Sequence, residues 1–237
     1  PRKSILGTLF SGVVESIGSH VTKFKAGDKV FGMTGFQFGT HAEYIVVNEK
    51  SHTLPIPINA GFEEAAAIIF GGQTAIYYLH KAKINQKQQP KMMILGATGS
   101  VGVAAVQIAQ YYKAKVTAVC SSEGKELIKD LAADSILLYD KVDIAQCTEK
   151  FDIVFDAIGK YHKKQYKRLL NENGAHISVS SGYASESLEQ LQLLKKLFEL
   201  GHLKAVIDKT FSLDQIREAH GYVDTGHKKG NVVIKFN

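Results

Sequence analysis

The chain has 237 residues, of which 45% are hydrophobic and 22% charged, and its formal net charge is +6. This composition is typical of a globular protein that can bury a sizeable core. Its two cysteines, Cys120 and Cys147, exclude a disulfide framework and a cysteine-rich metal site, so we expect no metal. No apolar run reaches membrane-spanning length and no signal-peptide pattern opens the chain, so we predict a cytoplasmic protein without a membrane partner.

Residues 1–62 have the pattern of a small antiparallel β unit. Short β-forming runs include Val13 and Val14, then Val30 and Phe31, and then residues 44–47. Glycine-containing turns separate them, as at Gly27.

From residue 63 onward, helical and strand patterns alternate. FEEAAAIIFGGQTAIYYLHKA predicts a helix interrupted at Gly71 and Gly72, and SLEQLQLLKKLFELG predicts an amphipathic helix ending at Gly201. EGKELIKDLAA also predicts a helix, and buried strands are predicted for KMMIL, AKVTAVC, FDIVFDAIG and GAHISVSS. Such alternation is typical of a parallel, doubly wound α/β sheet. Ser212 is a predicted N-cap, and the closing GNVVIKFN is a strand that would return to the first unit.

A glycine loop, LGATGSVG, joins the strand KMMIL to a predicted helix over 99–112. In this context Gly96 would permit the turn out of the strand, and Gly102 would let the helix pack closely on the sheet. Gly99 would let the backbone approach a pyrophosphate at the helix N-terminus. The alternative is a strand-to-helix turn that merely needs glycines, and the flanking strand and helix favour the dinucleotide interpretation.

The second strand of this unit bears on the choice of cofactor. NAD-selective sites place Asp or Glu about twenty residues beyond the glycine loop. Cys120, Ser121 and Ser122 occupy that position, and Lys125 follows. Hydroxyls, a lysine and a helix N-terminus favour a 2′-phosphate, so we predict NADPH, although Glu123 is discordant. The excess of positive charge also favours an anionic ligand, whereas the basic run HKKQYKRLL at 162–170 is interpreted as a solvated helix face and no nucleic-acid partner is expected.

These motifs, together with GVVESIGSHVTKFKAGDKVFG, HAEYIVV, EEAAAIIFGGQTAIYYL and AHGYVDTGHKKGNVVIKF, occur in one order. The sequence thereby resembles the zinc-independent quinone oxidoreductase branch of the medium-chain dehydrogenase/reductase superfamily. The resemblance implies a partial GroES-like β domain over 1–62, completed by 212–237, and a Rossmann domain over 63–211. It also implies hydride transfer from NADPH to a small quinone, enone or related carbonyl acceptor.

The resemblance also places cofactor-binding residues along the chain. It identifies them as Thr74; the loop residues Gly96, Ala97, Thr98, Gly99, Ser100, Val101 and Gly102; Ser121, Ser122 and Lys125 at the adenosine ribose; Tyr139 at the adenine; Ile158 and Gly159 near the nicotinamide ribose; and Lys229, Gly230 and Asn231 in a closing segment.

Two departures from the family pattern occur. The family's first β-strands have no counterpart before ILGTLFSG, where Leu9 stands in place of a usual acidic residue. The connection over 180–190 is short where the family carries a helix and an edge strand that commonly pairs two subunits, so a homodimer is possible but its usual edge strand is missing.

Other constellations give weaker hypotheses. Tyr111 and Lys115 resemble the Tyr/Lys pair of short-chain reductases, but they close the first helix and are interpreted as incidental. His41 lacks companions at metal-ligand spacing. Phe36 and Phe38 would line a substrate mouth or form a surface turn, and no catalytic acid is assigned. The alternative function is a non-catalytic NADPH-binding protein, sensing or structural.

Overall fold

The computed structural model describes residues 4–161 and 163–236, without the side chains of Ala145 and Lys163. The chain divides into two compact units. Unit 1 comprises Pro1–Phe70 with Ser187–Asn237, and unit 2 comprises Gly71–Glu186. Within the described ranges, no helix is both long enough and apolar enough to traverse a bilayer.

Unit 1 contains two small sheets. Three antiparallel strands in the order β1-β2-β3 form the first, over Leu9–Val13, Lys29–Met33 and His52–Pro55. The second consists of the parallel pair β9 and β10, over Ile207–Ser212 and Asn231–Lys235. The closing strand β10 therefore lies in the same unit as residues 4–70, and Lys235 forms an ion pair of 2.7 Å with Glu63.

One strand prediction in unit 1 was wrong. Residues 44–47 adopt no regular structure, with Val46 99% and Tyr44 74% exposed. The aromatic and branched residues of this stretch have strand propensity, but propensity alone does not form a strand without a paired neighbour. Among the described residues, the first sheet of unit 1 is made by β1–β3 without them.

Two helices lie wholly within unit 1. Helix α5, Leu188–Glu199, begins at Ser187, which forms a capping box with Gln190, and is followed by Gly201 at φ +74°, as the amphipathic pattern predicts. Helix α6 spans Ile216–Asp224, and the backbone N–H of Ser212 just before it donates to Gln215 at 3.1 Å. Ser212 thus stands where the sequence places the start of this helical segment.

Unit 2 is built on a five-stranded parallel sheet in the order β6-β5-β4-β7-β8. The strands β4 to β8 span Lys91–Leu95, Lys115–Cys120, Ser135–Leu138, Phe151–Asp156 and Leu170–Ser178, and helices α2, α3 and α4 span Ser100–Tyr111, Lys125–Asp130 and Lys163–Tyr166. The predicted α/β class is confirmed, since the chain contains a Rossmann-like parallel sheet and also a small antiparallel sheet. Strand β6 was missed because its four residues give too short a pattern.

The first helix, α1, runs without a break over Phe62–Lys81, so the predicted interruption at Gly71 and Gly72 is wrong. A Cβ added at Gly71 would collide with the backbone of Ser100 at the start of α2. Here glycine permits a close approach between helices instead of ending one.

The end of the sheet also differs from a complete family pattern. After β8, residues 179–187 contain a single 3₁₀ turn, Val179–Ser181, and no further strand is assigned there. Strand β8 is therefore one edge of the described sheet, and β6 is the other. The basic run at 162–170 begins with His162, outside the described residues, and continues through α4, where Tyr166 is buried and Lys164 is exposed.

Candidate functional site

The carboxyl edge of the unit 2 sheet contains a topological switch point. Strand β4 lies between β5 and β7. From the boundary between β4 and β7, the chain adds β5 and then β6 on one side and β8 on the other. In open parallel sheets, the crevice outside such a point is where ligands bind. The glycine loop leaves β4 at this crevice, and the loop after β7 brings Ile158 against Gly96.

Two of the three loop glycines are required by packing. Gly96 has φ +76°, and a Cβ there would collide with the side chain of Ile158. A Cβ at Gly102 would collide with the backbone of Gly96 and Ala97. The N–H groups of Gly96 and Ala97 both donate to the carbonyl of Val119, at 3.1 and 3.0 Å, which fixes the turn against β5.

Gly99 is different, because no contact within the protein explains its lack of a side chain. Its φ of −75° suits any residue, and an added Cβ would meet a single atom, the carbonyl oxygen of Gly96 at 3.7 Å. Gly99 is the N-cap of α2, a 12-residue helix, so its open face lies where the first N–H groups of a helix point outward. This open face fits a phosphate-bearing cofactor.

The other predicted residues of the loop surround this open face. Thr98, Ser100 and Gly99 are half-buried, while Ala97, Val101 and Gly102 are buried. The Thr98 side chain lies against Gly124, where an added Cβ would collide with it. Thr74 is half-buried on α1. The sheet, α1 and α2 thus place this predicted set in one unit.

The predicted adenosine residues follow β5 and β6. We call Ser121, Ser122, Lys125 and Tyr139 the β5 flank. Ser121 and Ser122 are half-buried, whereas Lys125 is exposed and Tyr139 is 52% exposed. The N–H of Tyr139 donates to the carbonyl of Cys120 at 3.0 Å, which brings the two strand ends together. Burial raises the pKa of the Cys120 thiol, so this cysteine is a poor nucleophile.

Sequence reasoning missed an acidic residue on this flank. The backbone N–H of Ser122 donates to Oδ1 of Asp140 at 2.9 Å. Hydrogen bonding from Ser122 is the main cause that lowers the pKa of Asp140, and Lys141 adds to it. The carboxylate of Asp140, which follows β6, therefore contacts the predicted phosphate-binding residue Ser122, 18 residues earlier in the chain.

A second carboxylate organises the loop after β7. Asp156 is fully buried, and its Oδ1 accepts from the N–H groups of Ile158 and Gly159 at 3.0 and 2.9 Å. Its Oδ2 accepts from the N–H of Tyr161 at 2.9 Å and from the hydroxyl of Ser178 at 3.0 Å. Four donors satisfy the buried carboxylate and hold the predicted nicotinamide-side residues Ile158 and Gly159 in place.

The end of β8 is fixed as firmly as the end of β7. The buried Tyr78 hydroxyl on α1 lies 2.6 Å from the carbonyl of Gly182 and 3.2 Å from that of Val179, and it donates to them. Burial raises the pKa of Tyr78, so the hydroxyl remains a donor. We call Asp156, Ile158, Gly159, Ser178 and Ser180 the β7–β8 flank. A Cβ at Gly159 would lie 3.3 Å from Cβ of Ser180, which places the two loops side by side.

The remaining predicted residues belong to unit 1. Phe36 is 75% exposed on a 3₁₀ turn, and Phe38 follows it at φ +59°. Lys229 donates its N–H to Asp208 at 2.9 Å, Gly230 has φ +73°, and Asn231 donates from Nδ2 to the carbonyl of Val206 at 3.0 Å. Contacts inside unit 1 thus hold the closing segment.

Across residues 4–161 and 163–236, no three side chains of His, Cys, Asp or Glu converge on one position. His41 meets His220 edge to face, with ring centroids 5.9 Å apart. Burial, and then the neighbouring His220, lower the pKa of His41.

Comparison with known families gives matches over three stretches of the chain. Residues 1–58 match an alcohol dehydrogenase GroES-like domain, and residues 100–207 and 182–234 match two models described as zinc-binding dehydrogenase. The solved quinone oxidoreductase of Coxiella burnetii superposes with a TM-score of 0.87 at 26% identity, covering 98% of this chain and 79% of that one.

Curated relatives point to the same group. A 2-methylene-furan-3-one reductase of Solanum lycopersicum is 35% identical, and an NADPH-dependent alkenal/one oxidoreductase of Arabidopsis thaliana, described as chloroplastic, is 31% identical. Each match covers 99% of this chain but 64% of the relative. A chloroplastic quinone-oxidoreductase of Triphysaria versicolor is 32% identical over 99% of this chain and 81% of that protein.

The chain therefore spans just under two thirds of the length of the two reductases. The matched stretch with the Solanum protein is 253 residues long, more than the 237 of this chain. The relative must carry additional residues inside the matched region. These residues add to the length that the relative carries outside the matched region.

Proposed function

Because the chain belongs to the medium-chain dehydrogenase/reductase superfamily, with quinone and enone oxidoreductases among its homologues, we propose that it transfers hydride from NADPH to a small quinone, enone or related carbonyl acceptor without zinc. The observation that carries the cofactor assignment is Gly99. Its side-chain space is open to the crevice, whereas packing within the protein already accounts for Gly96 and Gly102.

The proposed cofactor is oriented by the order of the strands. Its pyrophosphate would lie on the N-terminal turn of α2, whose N–H groups and dipole favour negative charge. Its adenosine half would lie on the β5 flank and its nicotinamide half on the β7–β8 flank, because these flanks lie on opposite sides of the boundary between β4 and β7. Thr74, Lys229, Gly230 and Asn231 are proposed as further cofactor contacts, and Phe36 and Phe38 as substrate contacts.

The preference for NADPH over NADH rests on the β5 flank. Ser121, Ser122 and the exposed Lys125 offer hydroxyl and ammonium donors, which suit a 2′-phosphate. Asp140 acts against this preference because its carboxylate already accepts the N–H of Ser122. The Arabidopsis relative, whose name states NADPH dependence, adds support for NADPH.

When bound, the nicotinamide supplies the hydride, and the chain supplies binding and position. Asp156 holds the Ile158–Gly159 loop, and Tyr78 holds the end of β8. Residues 92–95 of β4 and 153–156 of β7, at the carboxyl ends of these strands, are buried. No side chain is assigned as proton donor, and solvent can supply the proton.

A direct experiment follows NADPH oxidation with a panel of small quinones and enones. We expect NADPH oxidation with at least one acceptor, and a calorimetric titration showing NADPH binding tighter than NADH. Binding of NADPH with no turnover on any acceptor would instead support a non-catalytic, sensing or structural NADPH-binding protein. If neither cofactor binds, both hypotheses fail.

Zinc independence is tested separately. Elemental analysis of the purified protein should find less than stoichiometric zinc, and a chelator should leave turnover unchanged. Stoichiometric zinc, or activity lost to the chelator and restored by zinc, would show that this part of the proposal is wrong.

A further inference from the structure

Three side chains form a hydrogen-bonded chain from the core of unit 2 to its surface. The hydroxyl of the buried Ser178 donates to Oδ2 of Asp156 at 3.0 Å. The same hydroxyl oxygen lies 2.9 Å from Oγ of Ser180 and accepts the N–H of Ser180 at 3.2 Å. Ser180 is exposed, so the chain ends at the carboxyl edge of β8.

The donor and the acceptor of each hydrogen bond in this series can be assigned. An ionised carboxylate only accepts, and three of the four partners of Asp156 are backbone N–H groups, which only donate. The single proton of the Ser178 hydroxyl therefore goes to Asp156. The contact between Ser178 and Ser180 must then use the proton of Ser180, which leaves the Ser180 oxygen with acceptor lone pairs alone.

The position of this acceptor is also fixed. Tyr78 holds the carbonyls on both sides of Ser180, those of Val179 and Gly182. Gly159 lies beside Ser180, since a Cβ added at Gly159 would be only 3.3 Å from the Cβ of Ser180. An exposed hydroxyl held in this way loses little further freedom when it binds a donor.

We propose that the Ser180 hydroxyl accepts a hydrogen bond from the carboxamide N–H of the nicotinamide ring and thereby selects the orientation of the ring. This inference rests on the proposed cofactor. The carboxamide is the hydrogen-bond donor of the nicotinamide ring itself, and the β7–β8 flank lies on the side of the switch point opposite the β5 flank. Asp156 and Ser178 are positioning residues, since they act through Ser180.

The test compares binding of NADPH with that of its reduced 3-acetylpyridine analogue, in which a methyl ketone replaces the carboxamide and no N–H is offered. Dissociation constants are measured by calorimetry for the wild-type protein, for Ser180→Ala and for the control Ser181→Ala, the neighbouring exposed serine. Ser180→Ala should weaken NADPH binding about 3- to 10-fold, the range expected for one hydrogen bond, and change analogue binding less than about twofold.

A second variant tests the direction of the protons. Ser178→Ala leaves Ser180 free to rotate and to present its proton, so NADPH binding should weaken while the analogue, which only accepts, should bind equally well or better. Equal losses of NADPH and analogue binding in Ser180→Ala, or no loss of either, would overturn the inference. If the wild-type protein binds neither compound, the cofactor proposal fails first and this inference fails with it.

Discussion

The two flanks of the crevice are built in different ways. On the β5 flank, Lys125 is exposed and Tyr139 is 52% exposed, and the N–H of Ser122 donates a hydrogen bond to Asp140. On the β7–β8 flank, Asp156 is fully buried and accepts four hydrogen bonds. Substitutions on the first flank should therefore change affinity and selectivity with little effect on folding. Substitution of the buried Asp156 on the second should change folding and affinity together, because this carboxylate accepts several hydrogen bonds at once.

The glycine loop between the flanks gives the largest expected effect. Gly99→Val would fill the open face of the loop, and NADPH affinity should fall more than about 100-fold, or about 3 kcal/mol. The free energy of unfolding should change by about 1 kcal/mol or less, the usual effect of a poor N-cap residue.

Gly102→Val is the matched control for Gly99→Val, because its side chain would collide with the loop backbone. That variant should lose cooperative folding altogether. Calorimetric titration and urea unfolding measure the two quantities. NADPH affinity retained in Gly99→Val would show that the cofactor binds elsewhere.

Asp156→Asn tests the buried flank. The amide cannot accept four hydrogen bonds, so we expect a loss of about 2–3 kcal/mol in the free energy of unfolding and weaker NADPH binding. Asp152→Asn, on the same strand, is the matched control. Asp152 is half-buried and accepts from Lys91 and Asn171, both at 2.8 Å, and its loss should cost less than about 1 kcal/mol with unchanged NADPH binding. Equal behaviour of the two variants would contradict the comparison of the flanks.

Lys125→Ala tests the exposed flank. Loss of the ammonium group should weaken NADPH about 3- to 10-fold and leave NADH nearly unchanged, since only NADPH carries the 2′-phosphate. The control is Lys129→Ala, on the same helix, where the ammonium group is paired with Glu126 at 2.8 Å. Calorimetric titration with both cofactors measures the effect. Equal losses for NADPH and NADH would remove Lys125 from the phosphate site.

Asp140→Asn should change the ratio of NADPH to NADH affinity in the direction opposite to Lys125→Ala. Removing this carboxylate frees Ser122 from a competing charge, so the ratio of NADPH to NADH affinity should rise about 2- to 5-fold. Asp130→Asn, an exposed change at the end of α3, should leave the ratio unchanged. A ratio that falls in Asp140→Asn would mean that Asp140 positions Ser122 for the phosphate instead of competing with it.

The smallest expected effect concerns how the free energy of unfolding depends on pH through Tyr166. Tyr166 packs against Tyr161, with ring centroids 5.5 Å apart, and burial, with smaller contributions from Tyr161 and Asp156, raises the pKa of Tyr166 to about 12. An unfolded tyrosine ionises near pH 10, so between about pH 10 and 12 ionisation favours the unfolded chain and stability falls as pH rises. In Tyr166→Phe, the free energy of unfolding should decline less steeply over this range. An unchanged slope would contradict the assignment.

Features of this protein that depend on local pattern can be predicted from its amino-acid sequence. The alternation of apolar strands and helices predicts the parallel sheet, because periodicity is encoded within each element. The loop LGATGSVG predicts its own turn, because glycines at a strand-to-helix junction have few other structural roles. Ser187 and Gly201 likewise lie at the two ends of α5.

Features that depend on partners distant in the sequence become visible only in the folded chain. Gly71 permits close packing on Ser100 instead of breaking α1, and residues 44–47 remain irregular because strand formation needs a paired neighbour. The bond from Ser178 to Asp156 joins residues 22 apart, and that from Ser122 to Asp140 joins residues 18 apart. No local periodicity specifies such pairs, because they meet only when neighbouring parallel strands end at the same edge of the sheet.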